Sequence, residues 1–219
     1  DVLEAEIAVD RMFNLLTNTT NLQLSIKEML EFYNNLTKLE TNAILEKLDL
    51  MTKGNTEYYD NRIIAIALEI LSERNTSLAI DYAHQISNIG GKRTSALAVV
   101  LSNWAKDNPE DAFGWLVDEK ATLTPSEKSV QLDLLLKQIA TTNLPLAIEK
   151  VKLLAKRNEL EEGALIMLSY QLKSSENYST LADATIELDN VEITTNIVSG
   201  WVSKKPEDAM QWIASQPAG

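Results

Sequence analysis

The chain has 219 residues, 45% of them apolar, and carries 20 Lys and Arg against 32 Asp and Glu, a formal net charge of −12. That is apolar enough for a sizeable core, and so acidic that a phosphate backbone is repelled, which argues against a nucleic-acid partner. With no cysteine there are no disulfides and no thiolate metal sites.

The longest uninterrupted apolar runs, such as Ile63-Ile-Ala-Ile-Ala-Leu68, are far too short to span a bilayer, so no membrane insertion of this segment is expected. Numbering begins at Asp1 rather than Met, and the expectation is a mature or trimmed form, which leaves room for a signal peptide or membrane anchor to have been removed. Glycine and proline are scarce, at seven and five, while Leu, Ala, Ile, Glu and Lys abound, which favours helix.

In chain order, Glu4 to Leu16 reads as one helix, Thr17 to Asn21 as a loop rich in capping residues, and Leu22 to Leu36 with Leu39 to Met51 as a hairpin ended at Lys53-Gly-Asn-Thr56. The first helix is expected to cap the later helices with a polar outer face, as end repeats must. Beyond it come apolar stripes at three- and four-residue steps: Ile63, Ile66, Ala67, Ile70 and Leu71; Leu97, Val100, Leu101 and Trp104; Leu132, Leu135, Leu136 and Ile139; Ile193, Ile197 and Trp201. Thr124-Pro-Ser-Glu127 opens one of these helices as a capping box, and Ile89-Gly90-Gly91 is the clearest break between them. No alternating run argues for a sheet.

All four tryptophans fall in two copies of one phrase, Trp104-(x)4-Pro109-x-x-Ala112-x-x-Trp115 and Trp201-(x)4-Pro206-x-x-Ala209-x-x-Trp212. Each copy reads as the end of one helix, a tight turn and the start of a second helix, with Pro at its first position and two acids in its first turn. With the second-helix alanine and the apolar residue after it as anchor, Ala43-Ile44, Ala79-Ile80, Ala112-Phe113, Ala147-Ile148 and Ala209-Met210 recur at gaps of 36, 33, 35 and 62, the last spanning a degenerate copy around Leu181-Ala182. Eight residues before the anchor stand Leu71, Trp104, Ile139 and Trp201, while Asn35 breaks the pattern in the first copy. The expected fold is therefore all-α, a right-handed α-solenoid of about five or six antiparallel helical hairpins. Residues 1–57 form the N-terminal helical cap and first hairpin, and 58–219 one continuous run of hairpin repeats.

The tryptophan phrase resembles the helical-repeat proteins of the bacterial envelope and secretome whose units read W-(x)4-P-x-x-A-x-x-W, and more broadly the tetratricopeptide-like and HEAT-like α-solenoids. Ile89-Gly-Gly-Lys-Arg93 and Gln216-Pro-Ala-Gly219 look similar to the turn that introduces the next hairpin in such arrays. The resemblance covers two units closely and three loosely, and departs from the tetratricopeptide consensus in lacking its mid-helix Gly and Tyr. It implies a non-enzymatic scaffold that binds a protein or peptide in a concave groove, without cofactor, in a periplasmic or secreted setting. The competing expectation is an accessory superhelical domain of a larger envelope enzyme or sensor, akin in architecture to the superhelix of lytic transglycosylases without the catalytic domain.

Chemistry is sparse. His84 is the only histidine and cannot form a His-pair metal site. The acids Glu159, Glu161 and Glu162, and Asp107, Glu110 and Asp111, cluster at helix starts, where the helix dipole and solubility account for them. No glycine-rich phosphate loop or nucleophile motif occurs, and no catalytic, metal or cofactor residue is assigned. The sequons at Asn18, Asn35, Asn75 and Asn177 are a matter of composition. The tryptophans with Pro109, Ala112, Pro206 and Ala209 read as packing wedges rather than a ligand box. Tyr58, Tyr59, Arg62, Tyr82, His84, Lys92 and Arg93 form the candidate protein-binding face, because aromatics and arginine are enriched where proteins bind.

Overall fold

The computed structural model describes residues 1–18, 24–53, 61–86, 91–118, 123–160 and 162–217. It is all-α: the described residues hold thirteen helices and no strand. The chain divides into two compact units, residues 1–108 with 118–121 and residues 109–117 with 122–219.

The first unit holds α1 (Val2–Asn18), α2 (Ile26–Leu36), α3 (Thr41–Lys53), α4 (Asn61–Arg74), α5 (Thr76–Gln85) and α6 (Lys92–Asp107). Helix α1 starts slightly before the sequence expectation, and α2 starts later, at a capping box in which the Ser25 hydroxyl accepts from the Glu28 N–H. Helix α1 packs on α2, α2 and α3 on α4, and α4, α5 and α6 on one another. Arg74, at the end of α4, donates to the Thr37 and Leu39 carbonyls in the turn after α2, at 2.6 Å each. Lys47 of α3 is paired with Asp10 of α1.

The outer face of α1 differs from the polar cap expected. Ala5, Val9 and Phe13 are buried at four-residue steps, but Leu3, Ile7 and Leu15 stand exposed on a second stripe. The helix is apolar on two faces, one buried and the other left largely exposed.

The second unit holds α7 (Pro109–Val117), α8 (Pro125–Thr142), α9 (Leu144–Lys156), α10 (Glu162–Ser169), α11 (Ser175–Glu187), α12 (Val191–Lys204) and α13 (Pro206–Ser215). Its helices fall into two rows. Helix α10 packs on α8 and α12, while α11 packs on α9 and α13; the rows are joined through α7 with α8, α8 with α9, α11 with α12 and α12 with α13. Gly163 lets α10 come close to α8, since a Cβ there would lie 2.7 Å from the Asp133 carboxylate.

One corner explains the eight-residue spacing of the sequence. At Asn75, Asn108, Asn143 and Lys205 a single residue separates two helices, with φ/ψ of −156°/90°, −135°/67°, −147°/81° and −146°/71°. Its N–H donates to the carbonyl four residues back, on Leu71, Trp104, Ile139 and Trp201, at 2.7–2.9 Å. Its own carbonyl accepts from the N–H four residues on, on Ala79, Ala147 and Ala209. The large apolar residue and the alanine are thus the two ends of one hydrogen-bonded corner. Ala79, Ala112, Ala147 and Ala209 are all fully buried. The Asn75 and Asn143 side chains also accept from the N–H of Leu78 and Leu146, as N-caps. Lys205 makes no such bond.

Between hairpins the chain turns differently. Helices α9 and α11 end in Schellman motifs, with Asn158 (φ 57°) and Asp189 (φ 54°) left-handed. The Glu159 and Asn190 N–H groups reach back to the Leu154 and Thr185 carbonyls, both at 2.9 Å. These two turns lie 189 − 158 = 31 residues apart. The fourth residues of α9, α11 and α13 are Ala147, Tyr178 and Ala209, also at 31-residue steps. The degenerate copy is therefore anchored at Tyr178, one helical turn before Leu181-Ala182.

Candidate binding surfaces

In the second unit the aromatic residues form a wedge. Trp201 is 2% exposed; its ring stacks on Tyr178 at 5.7 Å and meets Trp212, tilted, at the same centroid distance. Lys204 places its ammonium 5.6 Å above the Tyr178 ring, and the Trp212 indole N–H donates to Asp183 at 3.0 Å. The Trp201 indole N–H is buried without an acceptor among the described residues. A ring closed in this way has no free face for a ligand, so Trp201 holds α11, α12 and α13 together. Trp104, Trp115 and Trp212 are half-buried. Sequence reading missed Tyr178; its signal was the division of the 62-residue gap into two equal steps.

Of the candidate protein-binding residues, Tyr58 and Tyr59 lie outside the described residues. Arg62 is exposed at the start of α4, His84 and Arg93 are half-buried, and Lys92 opens α6. Tyr82 is committed to its own fold: its hydroxyl donates to Asp49 at 2.7 Å and lies 2.8 Å from the Thr52 hydroxyl, both on α3. Burial foremost, with the Asp49 carboxylate adding to it, holds the Tyr82 phenol well above the ordinary tyrosine range. It ties α3 to α5 rather than offering a free ring.

Asp107, Glu110 and Asp111 are exposed, Glu159 pairs with Lys128 at 2.9 Å, and Glu161 lies outside the described residues. No group of three or more His, Cys, Asp or Glu suited to a metal ion occurs among the described residues. Glu28 is held below the usual carboxylate range by hydrogen bonds from the Ser25 hydroxyl and then the Ser25 backbone, as its capping role requires. No helix among the described residues is long and apolar enough to cross a membrane.

Apolar surface stands open at several places among the described residues. Between α1 and α2 a cleft of about 440 Å³ is lined by Ile7, Met12, Leu15 and Phe32, with Arg11 and Glu28 at its edge. Beside α12 a cleft of about 380 Å³ is lined by Ile186, Val191 and Val198, with Thr194, Thr195 and Asn190. Ile186, near the end of α11, and Val191, at the start of α12, are 46% and 72% exposed there, whereas Ile193, Ile197 and Trp201 of α12 are buried. On α13, Met210 and Ile213 face solvent. Comparison with protein-family models, with curated proteins and with solved structures finds no match to the chain.

Proposed function

We propose that the chain is a right-handed α-solenoid of helical hairpins that acts as a non-enzymatic scaffold, binding an extended or helical segment of a protein partner in a concave groove. The observation that carries this reading is the recurrence of one corner at Asn75, Asn108, Asn143 and Lys205, together with the two helix rows of the second unit. Identical corners make hairpins of one shape, and like hairpins stacked with a small rotation at each step make a concave surface several repeats long. The open apolar cleft at Ile186, Val191 and Val198, rimmed by hydroxyl and amide groups, suits the apolar anchors of a peptide. The periplasmic or secreted setting rests on the tryptophan phrase alone.

The test is a peptide-display selection on the purified chain, followed by affinity measurement on two variants. Val191→Asp in the open cleft and Arg62→Glu on the candidate face both alter exposed residues, and thermal melts check that each variant keeps the fold. Binding weakened at least tenfold by either variant supports the scaffold reading. Recovered peptides insensitive to both, or no saturable binder at all, contradict it.

A further inference from the structure

Helices α9, α11 and α13 begin at Leu144, Ser175 and Pro206, at 31-residue steps, and α9 packs on α11 as α11 packs on α13. Between α11 and α13 the protein places one of its own acids. The Ser175 hydroxyl, on the first residue of α11, donates to the Asp208 carboxylate, on the third residue of α13. The same two positions between α9 and α11 are Leu144 and Asn177, and neither carries a carboxylate. A cleft of about 340 Å³ opens there instead, between the Asn143 corner and the longer junction, residues 170–174, that leads from α10 to α11. It lies inside the run of helices, with α8, α9, α10 and α11 packed on one another around it.

The chain carries 32 acids, yet none lines this cleft, and the one charged side chain at it is Lys173. Lys173 is exposed, and its ammonium makes no ion pair or hydrogen bond among the described residues. Asn143 and Asn177 use their amide oxygens to accept from the N–H groups of Leu146 and Ser174, which leaves their NH2 groups as donors. Thr141 and Thr142 donate their hydroxyl protons to the Gln138 and Ile139 carbonyls, which leaves both oxygens as acceptors. One cation beside neutral donors suits a single carboxylate, and the threonine oxygens suit a backbone N–H of the peptide that carries it. The overall charge of −12 is screened beyond about 8 Å at physiological ionic strength, so the lysine governs the cleft locally.

We propose that this cleft takes the carboxylate of a Glu or Asp side chain on a bound peptide, held by Lys173 with Asn143 and Asn177, at the position that Asp208 occupies one step later. The site deepens the scaffold reading and rests on it. The probe is acetyl-Gly-Glu-Gly-amide, titrated into the isotope-labelled whole chain and followed by the amide resonances of Asn143, Lys173 and Asn177. Saturable shifts at these residues are expected. Lys173→Gln should weaken the affinity about tenfold, the worth of one charge-assisted contact. Lys156→Gln, at the far end of α9, should leave it unchanged. Both lysines are exposed, and thermal melts check that each variant keeps the fold.

The proposal is overturned if the Glu peptide gives no saturable shifts, if acetyl-Gly-Gln-Gly-amide binds as well, or if Lys173→Gln binds as tightly as the wild type. Inorganic phosphate that saturates the same resonances while the Glu peptide does not equally overturns it, and gives the cleft to a free anion. The peptide-display selection separates the two readings. Selected peptides that bind the chain while the Glu peptide does not remove this site alone. A selection without a saturable binder removes the scaffold reading beneath it.

Discussion

At Asn143 the backbone passes from α8 to α9 with φ −147° and ψ 81°, and at Lys205 from α12 to α13 with φ −146° and ψ 71°. The path is the same and its consequences differ. Asn143 caps the helix it starts, and the apolar residues on that helix, Ile148 and Val151, are buried. Lys205 makes no side-chain cap, and the equivalent Met210 and Ile213 are exposed. The corner is thus a local device, fixed by a large apolar residue four before it and an alanine four after it. Capping and coverage are added separately, by the junction side chain and by the next helix.

The largest expected effect comes from the wedge at the Lys205 corner. Trp201→Ala removes a ring packed between Tyr178 and Trp212, and should cost about 3–5 kcal/mol. Trp104→Ala, at the half-buried equivalent, should cost clearly less, as read from urea midpoints of the two variants. Equal losses would show that the two tryptophan phrases carry equal weight, and the contrast between the corners would fail.

Next is the tie between α3 and α5. Tyr82→Phe should cost about 1 kcal/mol, since it strands Asp49 without its phenol donor. The phenol is held above its unfolded range, so the folded state keeps its proton while the unfolded chain has begun to lose it. The contribution is therefore intact at neutral pH and fades as pH rises above about 10. Wild type should lose stability in alkali more steeply than Tyr82→Phe, so the gap between their melts narrows there. A constant gap from pH 8 to 11 would place the phenol outside that network.

The two corners themselves can be exchanged. Lys205→Asn supplies the missing cap and should stabilise by about 1 kcal/mol, whereas Asn143→Ala should destabilise by a similar amount. Identical responses to Asn and Ala at both corners would mean that the cap plays no part. The smallest effect is expected between hairpins, where Asn158→Gly should stabilise by about 0.5 kcal/mol by relieving the left-handed backbone. A loss in its melt would point to a role for the Asn158 side chain beyond the turn.

Helix content, the order of elements and the position of the corners were legible in the sequence because they are written in short-range spacing. Leu71 to Ala79 and Trp201 to Ala209 are eight residues apart since both bond to the same junction residue. The register of the weakest copy was not legible: Tyr178 stands where the other copies have alanine, and residues 170–173 lengthen its junction. The turns at Asn158 and Asp189 carry no glycine to announce them. The apolar outer stripe of α1 and the open faces of Val191 and Met210 depend on which neighbour is present, and no periodicity within a helix encodes that. The candidate face around Tyr82 was chosen from residue type, and its hydroxyl was already committed to Asp49 by the fold.

The central claim, a stack of hairpins joined by one repeated corner, is tested most directly by small-angle X-ray scattering of the monomer. A compact domain of 219 residues should have a radius of gyration of about 17 Å. The hairpin stack predicts a distinctly larger value and a distance distribution with an extended tail. A value of about 17 Å with a symmetric distribution would contradict it.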